Sequence, residues 1–124
     1  MKRKRQPASA PRSTRAIGTQ AERRALWHYR LRGFRILATN AWIAGYELDL
    51  VARRGRLVVF CEVKAKSSRG LGDPAEMVNA EKQRRVRVAA EAWLAGRPEL
   101  SACEVRFDVV AVGENGLVRL ADAF

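Results

Sequence analysis

Apolar residues recur along the chain in two rhythms. Residues 34–39 (FRILAT) alternate apolar with polar, the pattern of a strand with one buried face. Residues 46–66 (YELDLVARRGRLVVFCEVKAK) hold two Leu- and Val-rich runs on either side of Gly55. They predict a hairpin whose turn, Arg54-Gly55, uses the glycine's access to positive φ. Residues 104–112 (EVRFDVVAV) and 117–120 (LVRL) read as two more strands around a turn at residues 114–116. The helical rhythm appears twice. Thr19 and Glu22 form a T-x-x-E capping box for a first helix, and Gly33 is its left-handed stop after Leu31-Arg32. A longer helix opens at residues 73–76 (DPAE) with an N-cap acid, Pro at the first helical position and an acid at the third. It runs to about Leu94 and stops at Gly96, and its inward stripe reads Val78, Lys82, Val86, Ala89, Trp93. The order α-β-β-β-α-β-β predicts an α/β domain with a mixed central sheet flanked by helices.

The hairpin carries charges that its apolar setting makes expensive. Residues two apart on a strand share a face. Glu47 and Asp49 therefore lie with Val51, opposite Leu48, Leu50 and Ala52, while Glu62 and Lys64 share the face of Val58 and Phe60. A two-residue turn at Arg54-Gly55 pairs Arg53 with Arg56 and sets Asp49 opposite Phe60 and Glu47 opposite Glu62. All three carboxylates and Lys64 then fall on one face. Such carboxylates repel unless one keeps a proton at a raised pKa or a divalent cation sits between them. Oxygen ligands without His or Cys select a hard ion, Mg²⁺ or Mn²⁺. Lys64 is placed to act on a water or to neutralise a phosphate in its transition state. The cluster thus reads as a site for metal-assisted phosphodiester hydrolysis. The competing reading makes Glu47 a solvated strand end and Glu62 and Lys64 a surface pair. Lys82 either snorkels to the helix edge or points at the carboxylates. Arg84, Arg85 and Arg87 spread around the outer faces of the same helix and suit phosphate contacts that carry no sequence information.

Charge strengthens the nucleic-acid reading. The chain has 24 Lys+Arg against 13 Asp+Glu, a net charge of +11, which favours a polyanionic partner over a lipid surface. Residues 1–16 hold Lys2, Arg3, Lys4, Arg5, Arg12 and Arg15 without an acid or apolar periodicity, and read as a disordered basic tail before one domain at residues 17–124. No run is apolar enough for a membrane span, and the basic start lacks the apolar core of a signal peptide. A cytoplasmic protein with reduced Cys61 and Cys103 is expected, and with His28 the single histidine no zinc site is.

These motifs carry a resemblance. E-x-D at Glu47 and Asp49, followed by E-V-K at residues 62–64, resembles the core of the PD-(D/E)XK nuclease superfamily, which includes type II restriction enzymes and archaeal Holliday junction resolvases. More closely, the chain resembles the YraN family of small bacterial resolvase-like proteins. The matching pieces are residues 18–22 (GTQAE), 33–40 (GFRILATN), 47–50 (ELDL), 60–64 (FCEVK), 72–76 (GDPAE), 82–85 (KQRR) and 106–110 (RFDVV). The resemblance implies a restriction-endonuclease-like fold, with Asp49 and Glu62 as metal ligands assisted by the Val63 carbonyl, and Lys64 as the catalytic lysine. Glu22 matches an additional acid that resolvase-like members bring to the metal, although the capping box gives it a competing task. Glu47 tunes the site rather than ligating. Two departures stand out: Trp42 replaces a common Arg, and Tyr46 precedes the first strand acid where the family has Gly.

The expected partner is nucleic acid, specifically branched or structured DNA, cut by an Mg²⁺- or Mn²⁺-dependent endonuclease. Symmetric cutting of a junction would call for a homodimer. A non-catalytic DNA- or RNA-binding module, or an RNA-processing or ribosome-associated role, remains as the alternative. Lys66 and Arg69 join the helix arginines as expected nucleic-acid contacts. Trp42, read as lying in a loop beside the site, is expected to stack on an unpaired base. Trp27 and Trp93 are assigned to the core, His28 to a partly exposed structural position, and Cys61 to an apolar filler facing away from the acids. Asp108 alternates out of an apolar strand with no partner that the sequence names.

Overall fold

A computed structural model describes residues 12–65, 78–114 and 116–124. Its elements are α1 (Arg12–Arg30), β1 (Arg35–Ile43), β2 (Tyr46–Arg54), β3 (Leu57–Ala65), α2 (Ala80–Ala95), β4 (Glu104–Gly113) and β5 (Gly116–Leu120). The strands form one mixed sheet in the order β1-β2-β3-β4-β5. All neighbours are antiparallel except β3 and β4, which run parallel, with α2 lying between them in the chain. This is the α/β architecture that the sequence predicts, and it is consistent with a restriction-endonuclease-like fold.

One helix covers each face of the sheet. Ala21, Ala25 and Tyr29 recur at i, i+4, i+8 on α1 and pack on Leu50, Ala52, Val59, Cys61, Val110 and Val112. The small residues let the helix approach the sheet closely. On the other face Val86, Ala89, Ala90 and Trp93 of α2 pack on Leu48, Val51, Val58 and Phe60. Phe60 stacks with Phe107 and meets Trp93 edge-on, which is the geometry aromatic quadrupoles favour.

Several expected boundaries move. Helix α1 begins at Arg12, so it takes in residues 12–16 of the expected tail, and Thr19 lies inside it rather than at its cap. Gly33 does close the turn after the helix, at φ +89°, with its N–H donating to the Arg30 carbonyl. Helix α2 starts at Ala80, not at residues 73–76, which lie outside the described residues; Asn79 is its cap, accepting from the Lys82 N–H at 2.9 Å. The buried Val78 therefore precedes the helix rather than opening its stripe. Residues 1–11 of the expected tail also lie outside the described residues.

Asp108 is fully buried and has four bonds. The Tyr29 hydroxyl donates to it at 2.6 Å, Arg106 donates through Nε and Nη2 at 2.8 and 2.9 Å, and the Asp122 N–H at 3.0 Å. One carboxylate thereby ties α1, β4 and the C-terminal turn together.

Candidate active site

The hairpin that carries the acids is paired two residues away from the expected register. Arg53 faces Val58 and Arg54 faces Leu57, so the turn is Gly55-Arg56, with Gly55 at φ +61°. An even shift leaves the parity of every side chain unchanged, so Glu62 and Asp49 still belong together. Continued by one step, this ladder would set Asp49 beside Glu62 rather than Phe60.

That step is where the middle strands part. The last β2–β3 pair is Leu50 with Cys61. Beyond it β2 stays paired with β1 through Leu48, Glu47 and Tyr46, while β3 stays paired with β4 through Glu62, Val63 and Lys64. The Val63 N–H loses its ladder partner on the β2 side, and Asp49 Oδ2 accepts from it at 2.9 Å. The alternation of β2 breaks at the same point. Leu48 and Val51, three residues apart, both pack toward α2, whereas Leu50 packs toward α1. Asp49 is thereby aimed into the seam between the strands. Asp49 and Glu62 meet at this gap, where each feels the other's charge.

Glu62 reaches the gap from the α2 side. Its side chain is 2% exposed, Lys82 Nζ lies 3.7 Å from Oε1, and the Tyr46 hydroxyl is close enough to interact with it electrostatically. Lys82 thus points at the carboxylate rather than to solvent. Burial pushes Glu62 up, and Tyr46, Lys82 and Lys64 oppose that rise. Burial pushes Asp49 up to about 8, the Glu62 charge adds to this, the Val63 N–H opposes it, and Glu22 and Glu47 raise it further. Lys64 is pulled down by burial and by the neighbouring Lys82 ammonium, against the pull of Glu62 and Asp49. Two desolvated carboxylates and two ammonium groups are therefore held within electrostatic reach of one another.

Glu22 approaches from α1. Freed from capping, its Oε2 accepts from Asn40 Nδ2 at 3.0 Å. Asn40 is the point where β1 adopts φ +51°, a conformation Asn tolerates. Glu47 pairs with Trp42 across the β1–β2 ladder. Trp42 is in β1 rather than in a loop, and is 72% exposed beside the site.

The arginines of α2 are less available than expected. Arg84 and Arg85 both bond Glu81, and Arg87 lies over the Phe107 and Phe124 rings at 5.9 and 5.3 Å. Lys66 and Arg69 lie outside the described residues. Tyr46 and Asn40 are the members that sequence reasoning missed. The signal for Tyr46 was its place one residue before Glu47, read there only as a departure from the family pattern.

Asp49 and Glu62 offer carboxylate oxygens, and among the described residues no group of three His, Cys, Asp or Glu is spaced to hold a metal. Two carboxylates are what an ion such as Mg²⁺ needs when it keeps several of its waters. The site therefore fits a hard, partly hydrated cation.

Comparison with known proteins places the chain. Residues 21–112 match the uncharacterised protein family UPF0102. A UPF0102 protein of Azorhizobium caulinodans is 45% identical over 101 residues, covering 82% of this chain and 76% of the relative. One from Ralstonia nicotianae is 41% identical across 96% of this chain and 94% of its own, and one from Methylorubrum extorquens 40% identical across 95% and 91%. The chain belongs to the UPF0102 family, also called the YraN family.

Proposed function

We propose that this protein is a divalent-metal-dependent endonuclease that hydrolyses phosphodiesters in branched or structured DNA. The observation that carries the reading is the seam between β2 and β3, where the Val63 N–H holds Asp49 beside the buried Glu62 with Lys64 and Lys82 at hand. A fold with no use for this cluster would avoid it, because each carboxylate raises the cost of ionising the other.

Asp49 and Glu62 would hold Mg²⁺ or Mn²⁺, with the Val63 carbonyl as the expected third oxygen; the ion, when bound, supplies Lewis-acid polarisation of a phosphoryl oxygen. The remaining work falls to the chain. Lys82 and the Tyr46 hydroxyl favour ionised Glu62 and fix its orientation. Lys64, with its lowered pKa, is suited to take or give a proton at Nζ and to offset charge developing on the phosphate. Glu22 and Glu47 deepen the negative potential at Asp49. Arginine outnumbering acid over much of the surface supplies sequence-independent affinity for the backbone.

A non-catalytic nucleic-acid-binding module is the second reading, favoured by a net charge of +11 alongside no group of three His, Cys, Asp or Glu spaced to hold a metal among the described residues. Incubation with a four-way DNA junction and Mg²⁺ or Mn²⁺ separates the two. Cutting that Glu62→Ala and Lys64→Ala each abolish supports the nuclease; binding without cutting supports the module; cutting that survives both substitutions removes this site from the account.

A further inference from the structure

The outer face of α1 has a composition that packing does not explain. The helix buries Ala21, Ala25 and Tyr29, and Trp27, about 200° round from Ala25, points away from the sheet. Trp27 is 50% exposed and Leu31 77% exposed. The Arg30 guanidinium lies 5.3 Å from the Trp27 ring centroid. Trp27 and Leu31 border a hollow of about 400 Å³ that also receives Arg23, Arg24 and Arg32, and its lining contains no carboxylate. Arg23 and Arg24 are shared with an adjoining hollow of about 460 Å³, which has one acid, Glu114, in its lining and reaches Ala65, the residue after Lys64. The two hollows form one trough along the helix, from the end of β3 beside the candidate active site to Trp27.

We infer that this trough binds an unpaired nucleic-acid strand, with a base stacked on Trp27 and phosphates on Arg23 and Arg30. Arg24 is committed to the Gly113 carbonyl at 3.1 Å and Arg32 to the His28 carbonyl at 3.0 Å, so they shape the positive wall. Arg23 and Arg30 have no carboxylate partner among the described residues. An aromatic ring flanked by guanidinium groups is the recurring platform for single strands, because every base offers a π-face and the backbone needs only cations. From Gln20 to Arg30 the helix advances ~15 Å, the reach of two or three nucleotides. A second copy of the chain fits poorly. A two-fold contact over this face would set four arginines against their own copies, with Glu114 the single acid in the described lining to offset them. The inference rests on the nucleic-acid half of the proposed function and not on cleavage.

The test uses the full chain in EDTA, so that no cutting intervenes. Fluorescence anisotropy measures binding of a labelled oligo-dT of about 12 nucleotides and of a blunt duplex of the same length. Trp27→Ala is expected to weaken single-strand binding about ten-fold or more, with Trp27→Phe restoring most of it and the duplex changing less than about two-fold. Arg23→Gln with Arg30→Gln is expected to flatten the single-strand salt dependence by about 1.4 in log–log slope, ~0.7 per lost phosphate contact. Circular dichroism verifies that each variant folds; Trp27→Phe and the arginine variants keep the test decisive if Trp27→Ala does not. Wild-type protein that binds no oligo-dT at low salt overturns the inference. So does an equal loss on strand and duplex, or an unchanged affinity while Trp27→Ala abolishes self-association or binding to phosphatidylserine vesicles. Loss of metal binding or cutting elsewhere in the protein moves none of these readouts.

Discussion

Replacing Asp49 by asparagine isolates the cost of bringing two carboxylates together. Burial first, then the Glu62 charge, pushes Asp49 up to about 8. An unfolded chain releases the same proton near pH 4. The folded state thus binds more protons than the unfolded one, so stability is complete below about pH 4 and falls as pH rises through about 8. Each pH unit inside that window is worth up to ~1.4 kcal/mol. Between pH 5 and pH 7 the wild type should therefore lose up to ~3 kcal/mol relative to Asp49→Asn, whose amide stands in for the protonated acid. Water entry and side-chain relaxation lower this, and a difference of ~1–3 kcal/mol is expected. At this chain length that is roughly 3–5 °C of Tm per kcal/mol. Thermal unfolding followed by circular dichroism at pH 5, 6, 7 and 8 in EDTA reads it directly. Millimolar Mn²⁺ should restore the wild type at the upper end and leave the variant unchanged. Parallel pH profiles for the two proteins would refute the electrostatic reasoning.

Two further outcomes follow from the scaffold. Asp108→Ala should cost ~2–4 kcal/mol in urea unfolding, because it leaves the buried Tyr29 hydroxyl and the half-buried Arg106 charge without their partner; a loss under ~1 kcal/mol would show the network to be incidental. Ala44 turns the β1–β2 hairpin at φ +54°, ahead of Gly45 at φ +78°, so Ala44→Gly should stabilise by about 0.5 kcal/mol after the entropy cost of glycine; a lower urea midpoint would contradict this.

The sequence made the elements and the acids legible because both rest on periodicity. Parity along two strands groups Asp49 with Glu62 under either register, since shifting a hairpin by two residues preserves every face. For that reason the pattern had no power to choose between Arg54-Gly55 and Gly55-Arg56 as the turn. The parting of β2 from β3 was hidden for a different reason. It is a tertiary event, in which β1 and β4 each hold one strand, and it leaves no trace in local alternation. Glu22 shows how a local motif can mislead. The T-x-x-E box is a helix start only if the helix starts there, and residues before it extend α1 by more than a turn. The partners of Asp108 come from Tyr29, Arg106 and Asp122, two of them distant in the chain, so its role needed the fold. Trp27 was legible and misassigned. The stripe Ala21, Ala25, Tyr29 already filled the inward face, which left the tryptophan outside.

The central claim is that Asp49 and Glu62 together bind one divalent cation. Calorimetric titration with Mn²⁺ at pH 7.5 tests it most directly. The account predicts a single site in the wild type, proton release detectable from the dependence of the heat on buffer ionisation, and loss of that site in both Asp49→Asn and Glu62→Gln. A wild type that takes up no Mn²⁺, or variants that bind it as well as the wild type, would contradict it.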